Sequence, residues 1–430
     1  EEGVTYFYKV RAVDNAGNIE EHNTVRGVMV DKTSPVIELS LGNGNIFAEN
    51  ALPLVENIYD GLTGLIKGHD RPDLDRFAVS FAMNTTLGHM VEAYIVFSLR
   101  VARVNRKRDD KWRFESWGSG KYERFLSQGV EAYTWLGRYL PNIKYLDEKY
   151  ARQKIEDISK LDVADKNWRS FMEGYLFGAY VYDDVYKLMR DHYLKALKGV
   201  PFEQEGDRRL VQHITLSYLR NLESLDQMNS DGQESLFFKM LADTDTPEKR
   251  NRWIEVANFF WSMAGKNTQK DAPDDKEKIS EEMKEKILKY WAWTVADKEN
   301  VKTRLGEDYA AFLGRMADLT ILLPKIDDNN EKWLMLSAAH IEARQHMTFF
   351  IDYLARYEDE GSIKRIGKIY LKILEGATPT FRQEDILLIV EKLYRLKDKY
   401  HELKDQADEI CNTYGRRGVH FLKPLYEKNN

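Results

Sequence analysis

A chain of 430 residues can form two or three ordinary domains or one extended helical array, and 43% hydrophobic with 31% charged residues is the balance of a soluble globular protein. The longest apolar run, around 93–97, is far too short to span a bilayer, so no membrane partner is expected. A net charge of −6, drawn from 64 basic and 70 acidic residues spread along the chain, excludes wholesale phosphate binding, and nucleic acid is not an expected partner. One cysteine, Cys411, excludes an intrachain disulfide and a Cys-based metal site, and fits a reducing, cytoplasmic compartment. The first residues, EEGVTYFYKV, hold no initiator Met, no basic n-region and no apolar h-region, which predicts no signal peptide and further sequence upstream.

Residues 4–41 alternate with period two: Tyr6, Tyr8, Val10 and Ala12 share one side of a strand, and DNAGN (14–18) supplies a turn before VRGVMV (26–31). A short N-terminal β-hairpin is predicted. The string TYFYKVRAVDNAGN resembles the penultimate strand of a fibronectin type III or bacterial Ig-like domain, with Tyr6 at the tyrosine-corner position. Two strands cannot form a sandwich core, so residues 1–47 read as a partial fibronectin-like segment. Such a segment, taken alone, points to an extracellular setting.

From about Ala48 the texture changes: prolines thin out and apolar residues recur at spacings of three and four, the pattern of helices. In 87–104, Leu87, Met90, Val91, Tyr94, Phe97, Ser98, Val101 and Val104 line one side, a stripe broad enough for a helix packed between neighbours. Thr246 before Pro247, and Thr380 with Gln383 three residues on, mark helix starts; Gly199 and Gly376 mark stops. Short helices joined by tight turns, with no strict repeat period, predict a mainly α fold: a solenoid of antiparallel helix pairs of HEAT or TPR type. The charge-dense stretch 265–275 reads as a mobile loop between helical subdomains at 48–264 and 276–430.

The segment 168–194, WRSFMEGYLFGAYVYDDVYKLMRDHYL, concentrates rings, carboxylates and a histidine. Phe171, Tyr175, Gly178, Tyr182, Val185, Met189 and Tyr193 advance by fours and threes, so the rings are expected in a buried layer, with Asp183, Lys187 and Asp191 on the wet face. Gly178 is placed to break the run, with Asp183 or Asp184 capping the helix that follows.

Motifs with chemistry are few. WGSGKYE (117–123) has Glu115 and Tyr122 where a phosphate-binding loop needs Gly and Ser or Thr, and GNGN (42–45) is a turn. Arg208 and His213, five apart, resemble the R-x4-H element of HEPN-type ribonucleases, in which His serves acid–base chemistry and Arg neutralises phosphate; the alternative is an exposed Arg and a His packed under ITLSYL. Glu342 and His346 lie one helical turn apart, a spacing able to chelate a metal, but no third ligand stands nearby. The basic run 100–113 with Trp112 is expected to be a solvated connection.

Many weak features in order, among them LGHMVEAYIVFSLRVAR (87–103), FMEGYLFGAYVYDDVYKLMRDHYLKAL (171–197), VANFFWSM (256–263) and ADEICNTYGRRGVHFLKPLYEK (407–428), resemble the C-terminal helical-repeat region of large prokaryotic antiphage-defence proteins, whose N-terminal parts carry SIR2-like or STAND-type modules. The resemblance implies a non-enzymatic module that senses or binds another protein. It implies no catalytic residue, cofactor or metal in this chain. A rival reading, suited to a fibronectin-like neighbour, is an extracellular α/α-toroid polysaccharide lyase or hydrolase with a central cleft.

Overall fold

The computed structural model describes residues 61, 77–106, 119–178, 181–199, 202, 204–265, 279–341 and 344–430. The predicted hairpin, the GNGN turn, most of 265–275 and residues 107–113 of the basic run lie outside the described residues. Among the described residues the fold is mainly helical and holds no strand; one isolated bridge joins Met228 and Glu234. The chain divides into two compact units, Glu1–Gly206 and Asp207–Asn430, at a point four residues before Leu210 and well ahead of the polar stretch.

The first unit contains α1 (Ala78–Ala82), α2 (Thr86–Arg106), α3 (Ser119–Gln128), α4 (Val130–Arg138), α5 (Leu140–Leu146), α6 (Glu148–Ser159), α7 (Lys166–Phe177), α8 (Asp183–Leu188) and α9 (Arg190–Lys198). Helix α4 is its hub, packed on α1, α2, α3, α5 and α7. Its contact with α7 is the closest, because glycines meet backbone: a Cβ at Gly137 would overlap the carbonyl oxygen of Phe171, and one at Gly174 would overlap that of Thr134. Small residues here let the two helix axes approach and exclude water from both. As a result α7 has no solvated face, and every residue from Trp168 to Leu176 is buried. Asp165 starts α7 by accepting the amides of Asn167 and Trp168.

The ring-rich segment is therefore a packing layer, with one correction. Phe171, Tyr175, Val185, Met189 and Tyr193 are buried as the spacing predicts, and Tyr193 donates to the Tyr175 hydroxyl, but Tyr182 is 52% exposed. Gly178 ends α7 in extended backbone and Tyr182 is itself the extended residue before α8, so helical phase is not carried across the break. Neither Asp183 nor Asp184 caps α8 from the N-cap position; Asp184 instead pairs with Lys144, whose ammonium holds the carboxyl below its ordinary value. Of the stripe in α2, Leu87, Met90, Val91, Tyr94 and Ser98 are buried and Phe97 is half-buried.

Behind α7, His192 is locked by two bonds: the Trp168 indole N–H donates to Nδ1 at 3.1 Å, and Nε2 lies 3.0 Å from the Ile155 carbonyl. An acceptor at Nδ1 and a donor at Nε2 define one neutral tautomer.

Helix α10 (Gln204–Leu219) leads into the second unit, with α11 (Leu236–Ala242), α12 (Pro247–Gly265), α13 (Glu281–Ala296), α14 (Lys298–Leu305), α15 (Tyr309–Met316), a 3-10 stretch Ala317–Leu322, α16 (Asp328–Ala338), α17 (Arg344–Arg356), α18 (Glu360–Gly376), α19 (Gln383–Arg395), α20 (His401–Arg416) and α21 (Lys423–Asn429). Contacts connect alternate helices: α12 to α15, α15 to α17 and α17 to α19 form one series, and α13 to α16, α16 to α18 and α18 to α20 the other. Contacts of α15 with α16, and of α19 with α18 and α20, tie the series together. The start at Thr246–Pro247 and the stops at Gly376 and Gly199 fall where the sequence puts them. The start marked by Thr380 does not: α19 begins at Gln383, after Arg382 takes a left-handed φ of 57° held by its ion pairs to Asp352 and Asp385.

Helix ends are satisfied by a recurring device. Carbonyls of the last turn have no partner within their own helix, and a cation there also meets the negative end of the helix dipole. Lys392 of α19, only 2% exposed, donates to Ala355 O (2.5 Å) and Tyr357 O (2.8 Å) at the end of α17. Lys286 of α13 donates to Tyr218 O at the end of α10, Lys195 of α9 to Ser159 O and Leu161 O after α6, and Arg417 to Leu374 O near the end of α18.

The buried histidine makes the first unit sensitive to acid. Burial pushes His192 down to about 4, below its ordinary value, so the unfolded chain takes up a proton that the folded one refuses. Stability is then lost as pH falls below the unfolded value of about 6.5, by about 2 kcal/mol between pH 7 and pH 5. Urea unfolding at the two pH values should show this drop in the native chain and a clearly smaller one in His192→Gln.

Candidate functional site

The residues singled out for chemistry are separated or engaged. On α10, His213 is 4% exposed while Arg208 is exposed, so imidazole and guanidinium stand in different environments. Acid–base chemistry on a polynucleotide needs a ring that the substrate can reach, so the burial of His213 favours the alternative of an exposed Arg208 and a packed His213 over the nuclease reading. Gly120 and Lys121 lie at the start of α3, and Tyr122 is buried with its hydroxyl on Ala132 O at 2.8 Å. That arrangement is a helix start rather than a phosphate cradle.

A polar cluster forms around Asp318, a fully buried residue of the 3-10 stretch. Its Oδ2 accepts from Arg315 Nη1 and faces His346 Nδ1, both at 2.8 Å, while its Oδ1 is buried without a hydrogen bond. Arg315 also donates to the Asn258 side chain and lies 4.7 Å over the Trp261 ring. The cluster thus draws on α12, α15, the 3-10 stretch and α17. With its proton on Nδ1, His346 donates to Asp318 and keeps Nε2 as an acceptor. The positive guanidinium 3.3 Å from Nδ1 opposes a second cation at the ring, so the pattern is ill suited to holding a metal. Glu342, the other member of the predicted pair, lies outside the described residues, and His340 packs edge-on against Tyr309. No group of three or more His, Cys, Asp or Glu residues that could hold a metal gathers among the described residues.

Sequence reasoning missed two features. On α4, Glu131 is fully buried with neither carboxylate oxygen hydrogen-bonded; Trp135 and Arg138 follow on the same helical face, with Arg138 5.0 Å over the Trp135 and Phe177 rings. On α13 there are two apolar stripes rather than one. Ile287, Tyr290, Trp291 and Thr294 are buried in the core, whereas Leu288, Ala292 and Val295 are half-buried and line a groove of about 670 Å³ with Leu323, Pro324 and Trp333. The signal was present as a helix apolar on more than one side.

No described helix is long and apolar enough to cross a membrane. Comparison with protein-family models, curated proteins and solved structures finds no match for this chain.

Removing Asp318 leaves the mostly buried Arg315 without its counter-ion. Asp318→Ala should cost about 3–5 kcal/mol in urea unfolding, against about 1 kcal/mol for the partly exposed His346→Ala, which leaves the Arg315–Asp318 pair intact. Equal losses in the two variants would show that the imidazole, not the ion pair, holds the cluster.

Proposed function

We propose that the chain is a non-enzymatic helical-repeat module, a solenoid of antiparallel helix pairs of the HEAT or TPR kind, that binds or senses another protein as part of a larger prokaryotic assembly of the antiphage-defence type. The observation that carries the reading is the alternation of contacts in the second unit, where α13, α16, α18 and α20 follow one another in one series and α12, α15, α17 and α19 in the other. Repeats of this kind bury each pair against the next and present long, continuous helix faces to partners. The distribution of chemistry agrees. His192, His213, Glu131, Glu173 and Asp318 are buried, and the bonded partners of His192 and Asp318 belong to the packing rather than to a cleft.

A specific peptide-binding surface is the measurable consequence. Selection from a display library of random peptides long enough for roughly four helical turns, on the full chain, should enrich a small number of related families. A library that yields no family above the unselected background would contradict the module.

A further inference from the structure

We propose that the groove on α13 and α16 is the docking site for an acidic amphipathic helix of a partner protein. The inference rests on the interaction reading above and adds to it the place and chemistry of the contact. Four observations support it.

The first is the second stripe of α13. Leu288, Ala292 and Val295 recur at four and three residues, so they form a continuous ridge along one side of the helix, and the core is already filled by the stripe of Ile287, Tyr290 and Trp291. The second is shape: the groove has a volume of about 670 Å³, within the roughly 300–1,000 Å³ of ligand-accepting clefts, and its walls come from a helix and from the 323–333 segment. An elongated floor along a helix suits another helix presenting residues at i, i+3 or i+4, and i+7.

The third is Trp333. Its ring lies half-buried in the groove wall and packs at 5.5 Å on Trp291, a fully buried residue, so it is a rigid aromatic surface with a fixed rear support. Rigid, partly exposed tryptophans are the anchors on which interfaces concentrate their energy. The fourth is charge. Lys325 and Lys332 line the groove and both are exposed; outside the lining, Asp359 feels the charge of Lys325 and Asp328 that of Lys332, with no ion pair to either lysine within 4 Å among the described residues. The one carboxylate in the lining, Asp327, is engaged in capping α16, accepting the amides of Asn329 and Asn330 at 3.0 Å. Its neighbour Asp328 is tied to Arg365. An apolar floor between two lysines complements a helix whose apolar side is flanked by Asp and Glu, and repels one flanked by Lys and Arg.

The experiment uses the peptides enriched by the full chain in the selection above. Their sequences should carry apolar residues at helical spacing with flanking acids, and a synthetic copy should bind with affinity that falls from low to high salt. Trp333→Ala and Val295→Glu should each weaken that peptide by about tenfold or more, and the charge reversal Lys325→Glu with Lys332→Glu by about fivefold or more. Tyr145→Ala, at an exposed site in the first unit, should leave it unchanged. The paired lysine variant alters only exposed side chains, so it decides the matter even if a change at Trp333 or Val295 prevents folding. Enriched peptides that are basic, or that bind all groove variants as they bind the native chain, would overturn the groove while leaving the interaction reading in place. Failure to enrich any peptide would overturn both.

Discussion

Helices α17 and α18 of the second unit are each committed twice, once by an apolar stripe and once by a carbonyl end. The stripe faces the next member of the same series, and the carbonyls of the last turn, which no residue within the helix can satisfy, receive a cation from a later one. Lys392 illustrates the coupling: a nearly fully buried ammonium on α19 closes α17, so α17 cannot end where it does unless α19 is in place. Arg417, at the end of α20, stands in the same relation to α18. Both bonds join a helix to the next member of its own series.

The first unit meets the same need for burial by a different route. Gly137 and Gly174 remove side chains from the crossing of α4 and α7, so backbone lies on backbone and neighbouring polar groups are sealed from water. Glu173 answers by accepting the Ala78 amide at 2.6 Å, and His192 by donating and accepting across α6 and α7. Such groups fix one arrangement of the helices, because any slip would strand a buried donor or acceptor. The lone cysteine behaves as a packing residue too: burial pushes the Cys411 thiol up to about 11, away from the thiolate that reactivity requires.

Much of this was legible in the sequence wherever the cause is local. Helical periodicity placed Leu87, Tyr94, Phe171 and Tyr193 inside, and Pro247, Gly199 and Gly376 marked helix ends by their own backbone properties. The misreadings have physical causes. The spacing puts Tyr182 in the stripe of α7 although Gly178 resets the helical phase, and Thr380 has the chemistry of a cap although Arg382, ion-paired to Asp352 thirty residues earlier, sets the start of α19. The approaches of Gly137 to Phe171 and of Gly174 to Thr134, and the Asp318–His346 bond, join residues 34, 40 and 28 positions apart, and no local pattern encodes such pairings. The groove falls between these cases: its α13 ridge is visible as apolar residues, but only packing distinguishes the stripe that the core takes from the one left half-buried.

If order in the second unit passes locally along alternating helices, damage at one end of a series stays near that end. Tyr414 offers the most direct test, since its hydroxyl bonds Tyr370 of α18 at 2.7 Å and Pro379 O at 2.8 Å, and its truncation should cost about 3–5 kcal/mol. Amide hydrogen exchange of Tyr414→Ala should show protection lost in α18, α19 and α20 and kept in α12, α13 and α15. A uniform loss across the unit would mean a single cooperative core and would contradict the account.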